Sequence, residues 1–287
     1  MTSGVHLAGC PTRARSRTRL AAALLAIGLC LGAAPAWAGV LHLAVTTSIE
    51  ASGLSAHLAA SFQDATNITL RTVVAGTGQA LVLGRRGDVD ATLTHDAASE
   101  EALVAEGIGL ERRTVMENEF VLIGPDDDPA AIAGMTDVSA ALTRIATAGE
   151  VFFSRADDSG THKAELRFWR DAGLTPAADG GGWYLKTGMG QGANLNMAAA
   201  RGAYTLIDRA TWLTSGNRAG LTVLVEGDPR LINRYALVLI DPRAHTHVNV
   251  TDARAFADWL TSPDGHAAIA AFQIDSAPLF RPVLEAP

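Results

Sequence analysis

Arg155, Asp157, Asp158, Ser159, Thr161 and His162 crowd into one stretch, SRADDSGTHKAE from 154 to 165, with Gly160 in their midst. Apolar Val151, Phe152 and Phe153 precede it and read as a strand, and Lys163 to Asp171 reads as a helix. The chemistry therefore sits on a strand-to-helix turn. Such a turn offers unpaired main-chain N–H groups and the positive end of the helix dipole, which suit an anion. Ser159 and Thr161 add short hydroxyl donors, Gly160 permits close backbone approach, and Arg155 adds a fixed positive charge. A structural role for Arg155, an ion pair with Asp157 or Asp158, is compatible with its remaining N–H groups facing a cleft. A hydrolase reading would use Asp158, Ser159 and His162. It is the weaker one, because the three are neighbours on one turn and no G-x-S-x-G elbow occurs.

The same design recurs. Thr46-Thr47-Ser48 and Gly76-Thr77-Gly78 also follow apolar strand patterns and precede helical ones, and Gly188-Met189-Gly190-Gln191 forms a fourth such turn before a helix starting near Ala193. Ser or Thr at one helix start is ordinarily a cap. Three hydroxyl-bearing turns, one with an arginine, point instead to a shared site built from Thr47, Ser48, Thr77, Arg155, Ser159, Gly160 and Thr161. His245-x-His247 and His95-Asp96 are pairs without a third ligand, so capping or surface roles are expected and no metal cation is assigned. Trp183-Tyr184 is expected to pack between elements, and Arg85-Arg86 to lie on a solvated turn.

The elements that must position these turns alternate as β-α-β. Strands are expected at 41–45, 68–74 and 89–93, with helices at 53–62 and 97–106 between and after them. A second α/β set follows: helix near 138–147, strand 151–153, helix 163–171, helix 193–201 and strand 203–207. Terminal helices are expected at 253–260 and 265–272. Phe120–Ile123 and Tyr235–Ile240 are apolar strands placed to cross between the two sets. The pattern predicts an α/β chain of two lobes, each a mainly parallel sheet flanked by helices.

Arg13, Arg15, Arg17 and Arg19 precede an apolar run from Leu20 to Gly32, and Ala36-Trp37-Ala38 fits a cleavage pattern. Residues 1–38 therefore read as a secretory signal peptide, with 39–119 and 236–287 as lobe 1 and 120–235 as lobe 2. Leu7-Ala8-Gly9-Cys10 precedes the apolar run and is taken as chance. The signal contains four arginines and no acid. The rest of the chain then has 19 basic against 30 acidic residues, a net charge of −11. That argues against nucleic acid or an anionic membrane as partner. Both cysteines, Cys10 and Cys30, lie in the signal, so no disulfide or thiolate site is expected after it.

At these residues the chain resembles the tungstate-binding protein family, the periplasmic receptors of tungstate ABC importers. The matching stretches are TTS (46–48), GTGQAL (76–81), GDVDATLTHDAASE (87–100), VMENEFVLIGP (115–125), SRADDSGTHKAE (154–165), WYLKTGMG (183–190), YTLIDRATWL (204–213) and EGDPRLINRY (226–235). They are collinear and cover nearly all of the chain after the signal. The resemblance implies a two-lobed type II periplasmic-binding fold with two crossover hinge strands. It implies tungstate, or molybdate, in the cleft, delivery to a permease with its ATPase, no cofactor and no catalysis. The receptor is expected to be a periplasmic monomer. Phosphate receptors share a strand-turn-SGT-helix design, so a phosphate-type oxyanion is the competing ligand. Ala156 departs from the family motif, which generally has glycine there.

Overall fold

The structure, a computed structural model, describes residues 1–4, 39–176, 182–218, 220–274 and 277–284. Beyond residue 4, the expected signal peptide lies outside the described residues, as does most of the Gly-rich link at 176–182. No described helix is long and apolar enough to cross a membrane.

Apolar alternation builds the first sheet. In β1 (Val40–Thr46), Leu41, Leu43 and Val45 point to one face, where they meet Leu58 and Phe62 of helix α2 (Leu54–Thr66). Phe256 and Trp259 of α9 (Val250–Leu260) close that core, with the Phe62 and Phe256 rings 4.9 Å apart edge to face. Ala44 faces the other way, against Ala80 of α3 (Thr77–Arg86) and Val89. β1 lies between β2 (Thr69–Ala75) and β3 (Ala91–Thr94) and is parallel to both, as the β-α-β rhythm requires. Helix α1 (Thr47–Ser52) follows β1, and α4 (Ala97–Ala105) follows β3.

Two long strands then leave this sheet. β4 (Gly109–Pro125) runs antiparallel to β9 (Ile232–Ile240) as far as Glu119. Its remainder, Phe120–Pro125, pairs antiparallel with β7 (Thr205–Asp208) and β8 (Leu221–Val225). One strand thus contributes Val115 and Met116 to the first core and Phe120 and Leu122 to a second. β9 likewise adds Tyr235, Leu237 and Leu239 to the first core, while Leu231 just before it lies in the second.

The second core holds Phe152 of β5 (Phe152–Ser154), Phe168 and Trp169 of α6 (Gly160–Asp171) and Tyr184 of β6 (Tyr184–Lys186). The expected packing role of Trp183 and Tyr184 is seen here, with Trp183 5.6 Å from the Trp169 ring. Helix α5 (Val138–Ala148) covers one face of this half. On the other face, Val121, Ile123, Phe153 and Ile207 pack with Leu195 of α7 (Gln191–Arg201) and Trp212 of α8 (Arg209–Thr214). β5 and β6 pair in parallel. Helix α10 (Pro263–Ala271) and the short strands β10 (Gln273–Ile274), β11 (Ala277–Pro278) and β12 (Arg281–Pro282) finish the chain, β12 against β4. The expected α/β class with two crossing strands is the observed one, but the sheets are mixed and not mainly parallel. β4 and β9 run back against their neighbours, so every pairing they make is antiparallel, and among the described strands only β1–β2, β1–β3 and β5–β6 pair in parallel.

Candidate functional site

All four polar turns lie where a strand ends and a helix begins: β1 to α1, β2 to α3, β5 to α6 and β6 to α7. The third is the most constrained. Ser159 caps α6, its hydroxyl accepting from the His162 N–H at 3.3 Å and donating to Asp157 Oδ1 at 2.6 Å. Asp157 Oδ1 also accepts from the Ser159 N–H at 3.2 Å, and Oδ2 accepts from the Arg155 guanidinium. This carboxylate therefore ties the arginine to the start of the helix. The turn passes through left-handed backbone at Ala156, φ 48°, and Asp158, φ 56°. Ala156 occupies a conformation that glycine adopts at lower cost.

Arg155 is buried, only 3% exposed. Its second guanidinium nitrogen donates to Oε1 of Gln191, the first residue of α7. Three buried donor-bearing atoms on these turns have no hydrogen-bond partner among the described residues: Arg155 Nε, Gln191 Nε2 and Thr161 Oγ1. Such atoms are rare in folded proteins and need an explanation.

The other residues converge on the same place. Thr77 is fully buried, and its Oγ1 accepts the Gly160 N–H at 3.1 Å, so the second turn meets the third. The Gly78 N–H also reaches Asp158 O at 3.4 Å. Glycine is required at Gly160, against the buried His95 ring, whereas at Gly78 a side chain would have to displace the exposed Asp158 carboxylate. A Cβ on Gly78 would lie 1.9 Å from the Asp158 carboxylate, and one on Gly160 would lie 2.4 Å from the His95 ring. Ser48 is buried and bonded to Thr46 Oγ1 at 3.0 Å and to Tyr235 Oη at 3.2 Å. Exposed Thr47 and buried Ser48 line a cleft of about 370 Å³ together with Gly190, Gln191, Thr211 and Ser215. Thr77 joins the second turn to the third, Arg155 joins the third to the fourth, and the cleft joins the fourth to the first. Beside them, Lys163 Nζ on α6 donates to Ser99 Oγ on α4 at 3.1 Å, and Arg167 lies 3.9 Å from Asp96.

Two side groups behave differently from ligands. The His162 ring takes the Asp158 N–H on Nδ1 at 3.2 Å, while the Ser159 hydroxyl faces Asp157, so the two do not form a nucleophile–base pair. His245 and His247 bond through Nε2 to Arg85 O and Gly87 O, each at 2.8 Å, and secure the end of α3. Arg85 and Arg86 pair with Glu106 and Asp88. Among the described residues no group of three or more His, Cys, Asp or Glu side chains could hold a metal ion.

His95, Gln191 and Tyr235 are the members that reading for hydroxyl turns passes over. His95 has Nδ1 2.9 Å from Asn233 Oδ1, and burial pushes its pKa down to about 4, so it is neutral. Gln191 has a signal in the sequence: it stands directly after Gly190, in the fourth turn. Behind the Arg155 turn, fully buried Glu165 accepts from Tyr184 Oη at 2.7 Å and Trp169 Nε1 at 3.2 Å. Burial raises its pKa to about 7 in spite of those bonds.

The profile of the PBP superfamily domain matches residues 33–264. The chain is 40% identical over 248 residues to the tungstate-binding protein TupA of Peptoclostridium acidaminophilum, covering 85% of this chain and 86% of that one. The solved structure of the tungstate-binding protein TupA from Desulfovibrio alaskensis G20 superposes with a TM-score of 0.76 at 41% identity, over 86% of this chain and all of that one. The crystal structure of the tungstate ABC transporter from Geobacter sulfurreducens gives 0.73 at 40% identity, over 80% of this chain and 97% of that one.

The strained turn and the buried acid behind it each have a measurable consequence. Ala156→Gly should raise unfolding free energy by roughly 1 kcal/mol, read by denaturant titration, because the left-handed cost at 156 is removed; a fall would place the strain elsewhere. Glu165 has a folded pKa near 7 against 4.5 for the free side chain. The folded protein therefore keeps a proton that the unfolded chain releases, and this costs stability as pH rises through that interval. Relative to Glu165→Gln, the wild type should lose on the order of 3 kcal/mol between pH 4.5 and 7. Urea titrations at both pH values measure it, and a pH-independent difference would contradict it.

Proposed function

The chain belongs to the PBP superfamily and, within it, to the family of the TupA tungstate-binding proteins, and from that membership we propose that it is a periplasmic receptor for tungstate. It binds molybdate as a second ligand and passes its cargo to the permease of an ABC importer. The observation that carries this reading is the set of unpartnered buried atoms, Arg155 Nε, Gln191 Nε2 and Thr161 Oγ1. Each bears a hydrogen to donate. Tungstate and molybdate are fully deprotonated dianions near neutral pH and ask only for donors.

Hydrogen phosphate would gain from an acceptor. Asp157 has both oxygens engaged, Asp208 accepts from the Thr211 N–H and hydroxyl, and Asp158 is largely exposed beside Lys163. The available carboxylates are thus turned to protein donors, which supports a permanent dianion over the phosphate-type alternative. Of the proposed ligand-shell residues, Thr47 and Ser48 line the cleft, and on this reading Thr77, Thr161 and Arg155 would add their hydrogens to the bound anion. Gly160 and Ser159 shape the helix start, the latter with its hydroxyl hydrogen held by Asp157. All four turns come from one chain, so a monomer suffices. The lobe boundaries at 119/120 and 235/236 belong to the proposal; β4 and β9 are the strands that would flex on closure.

Competitive calorimetry with tungstate, molybdate, sulfate and phosphate tests the ligand. Tungstate and molybdate should bind far more tightly than the other two, and tungstate should raise Tm by mass action. Phosphate displacing tungstate at equal concentration would overturn the assignment. Arg155→Ala should weaken tungstate binding by ~1.5–3 kcal/mol, the range for a charged hydrogen bond, and should also lower ligand-free stability by uncovering Asp157. A tungstate affinity within about threefold of wild type would remove Arg155 from the ligand shell.

A further inference from the structure

Ser48 does not stand alone in its turn. It belongs to a buried chain of hydrogen bonds that runs along the second crossing strand and continues past Ser48 to Thr46 Oγ1 at 3.0 Å. Asn233 Nδ2 donates to Asn118 Oδ1 at 2.8 Å and to Tyr235 Oη at 3.2 Å, while Asn233 Oδ1 faces His95 Nδ1 at 2.9 Å. The polarity follows. The Asn233 carbonyl needs a donor, so neutral His95 holds its proton on Nδ1. Tyr235 Oη already accepts from Asn233, so its own hydrogen can go to Ser48 Oγ at 3.2 Å, with the Asn118 side chain the other polar group against the phenol. With Tyr235 as donor, Ser48 is the acceptor and its single hydrogen is free of that bond; Thr46 Oγ1, 3.0 Å away, must then also donate to Ser48 for that hydrogen to face the cleft. The side chain lines the cleft shared with Gln191.

We propose that Tyr235 is a positioning residue of the anion site: by donating to Ser48 Oγ from the crossing strand β9, it fixes the Ser48 hydroxyl as a hydrogen donor to the bound oxyanion. The inference rests on the tungstate reading above. A free serine rotor can offer an anion either its hydrogen or a repelling lone pair. With one lone pair occupied by the phenol, the orientation that points lone pairs at the ligand is disfavoured. Hydrogen bonds in a chain also polarise one another, so a serine that accepts from Tyr235 donates more strongly. The Tyr235 ring is fully buried, 4.8 Å from the His95 ring and 5.6 Å from Phe280, so the phenol is held in place by packing on both sides. Burial raises the Tyr235 pKa, which keeps the phenol protonated as the chain demands.

A double-mutant cycle isolates this role from a merely structural one. Tungstate affinity is measured calorimetrically for wild type, Tyr235→Phe, Ser48→Ala and the double variant, with ligand-free melting curves for each. Tyr235→Phe should weaken binding about tenfold in the wild-type background and less than twofold in the Ser48→Ala background. Equal losses in both backgrounds, an unchanged affinity in Tyr235→Phe, or no loss in Ser48→Ala would each overturn the inference. Should Tyr235→Phe fail to fold, Asn233→Ala removes the donor that orders the phenol and should show the same dependence on Ser48. Wild-type calorimetry separates the premises: a wild type that binds tungstate with an additive cycle overturns only the role of Tyr235, whereas one that binds no tungstate overturns the receptor reading and this inference with it.

Discussion

The Asp157 carboxylate is the tie on which the site depends. It accepts from the Arg155 guanidinium with one oxygen and from the Ser159 N–H and hydroxyl with the other. A single short side chain thereby positions a buried cation, orients a helix cap and holds two left-handed residues between them. Removing it would leave Arg155 buried with one partner and free the cap, the situation in which breaking a buried pair is far more damaging than never having had one. The pair also explains why an arginine can be present in a cleft without surplus charge. Arg155 and Asp157 neutralise each other locally, so on the proposed reading the site would recognise an anion through directed hydrogen bonds more than through net field. That is consistent with a net charge of −11 after the expected signal: exposed acids beyond ~8 Å are screened, while donors act at contact.

The second dependence is on close approach. Gly78 and Gly160 bring backbone against Asp158 and His95, and Thr77 accepts the first N–H of α6. At Gly160 no side chain fits against the buried His95 ring. Lys163 and Arg167, reaching Ser99 and Asp96, reinforce the same seam from the exposed side of α6. Exposed pairs of this kind contribute little individually. The buried Gly160 contact and the Thr77 bond therefore set the geometry, and the ion pairs accompany it.

Much of the fold is legible in the amino-acid sequence. Strands such as Leu41 to Val45 announce themselves by alternation, and the helices by apolar spacing closed with glycine, as at Gly87, Gly149 and Gly202. Helix α6 begins one turn earlier than its apolar pattern, because the Ser159 cap starts it at Gly160, not at Lys163. The first half of β4 is hidden. Charged Glu111, Arg112 and Arg113 break any apolar alternation, yet they lie on a paired strand whose charges meet Glu100 and Asp258. Short β6, α8 and β8 have too few residues for a period to show. Within the site, hydroxyl turns are visible because the chemistry is local. Tyr235 is not, because its bond to Ser48 spans 187 residues and only the return of β9 to the first sheet creates it.

The unpartnered donors also bear on how the cleft works. Burying a polar group without a partner costs ~1–3 kcal/mol. Arg155 Nε, Gln191 Nε2 and Thr161 Oγ1 together make a closed cleft expensive unless something with several acceptors fills it. In an open cleft, water would satisfy them. On the proposed reading, a tetrahedral oxyanion supplies the missing acceptors and so favours closure by its differential affinity for the closed form, the only way a ligand can shift such an equilibrium. A ligand with its own proton would leave a donor facing donors and forfeit part of that difference. The same orphaned hydrogens would then do two jobs, selecting a permanent dianion and making closure conditional on its arrival.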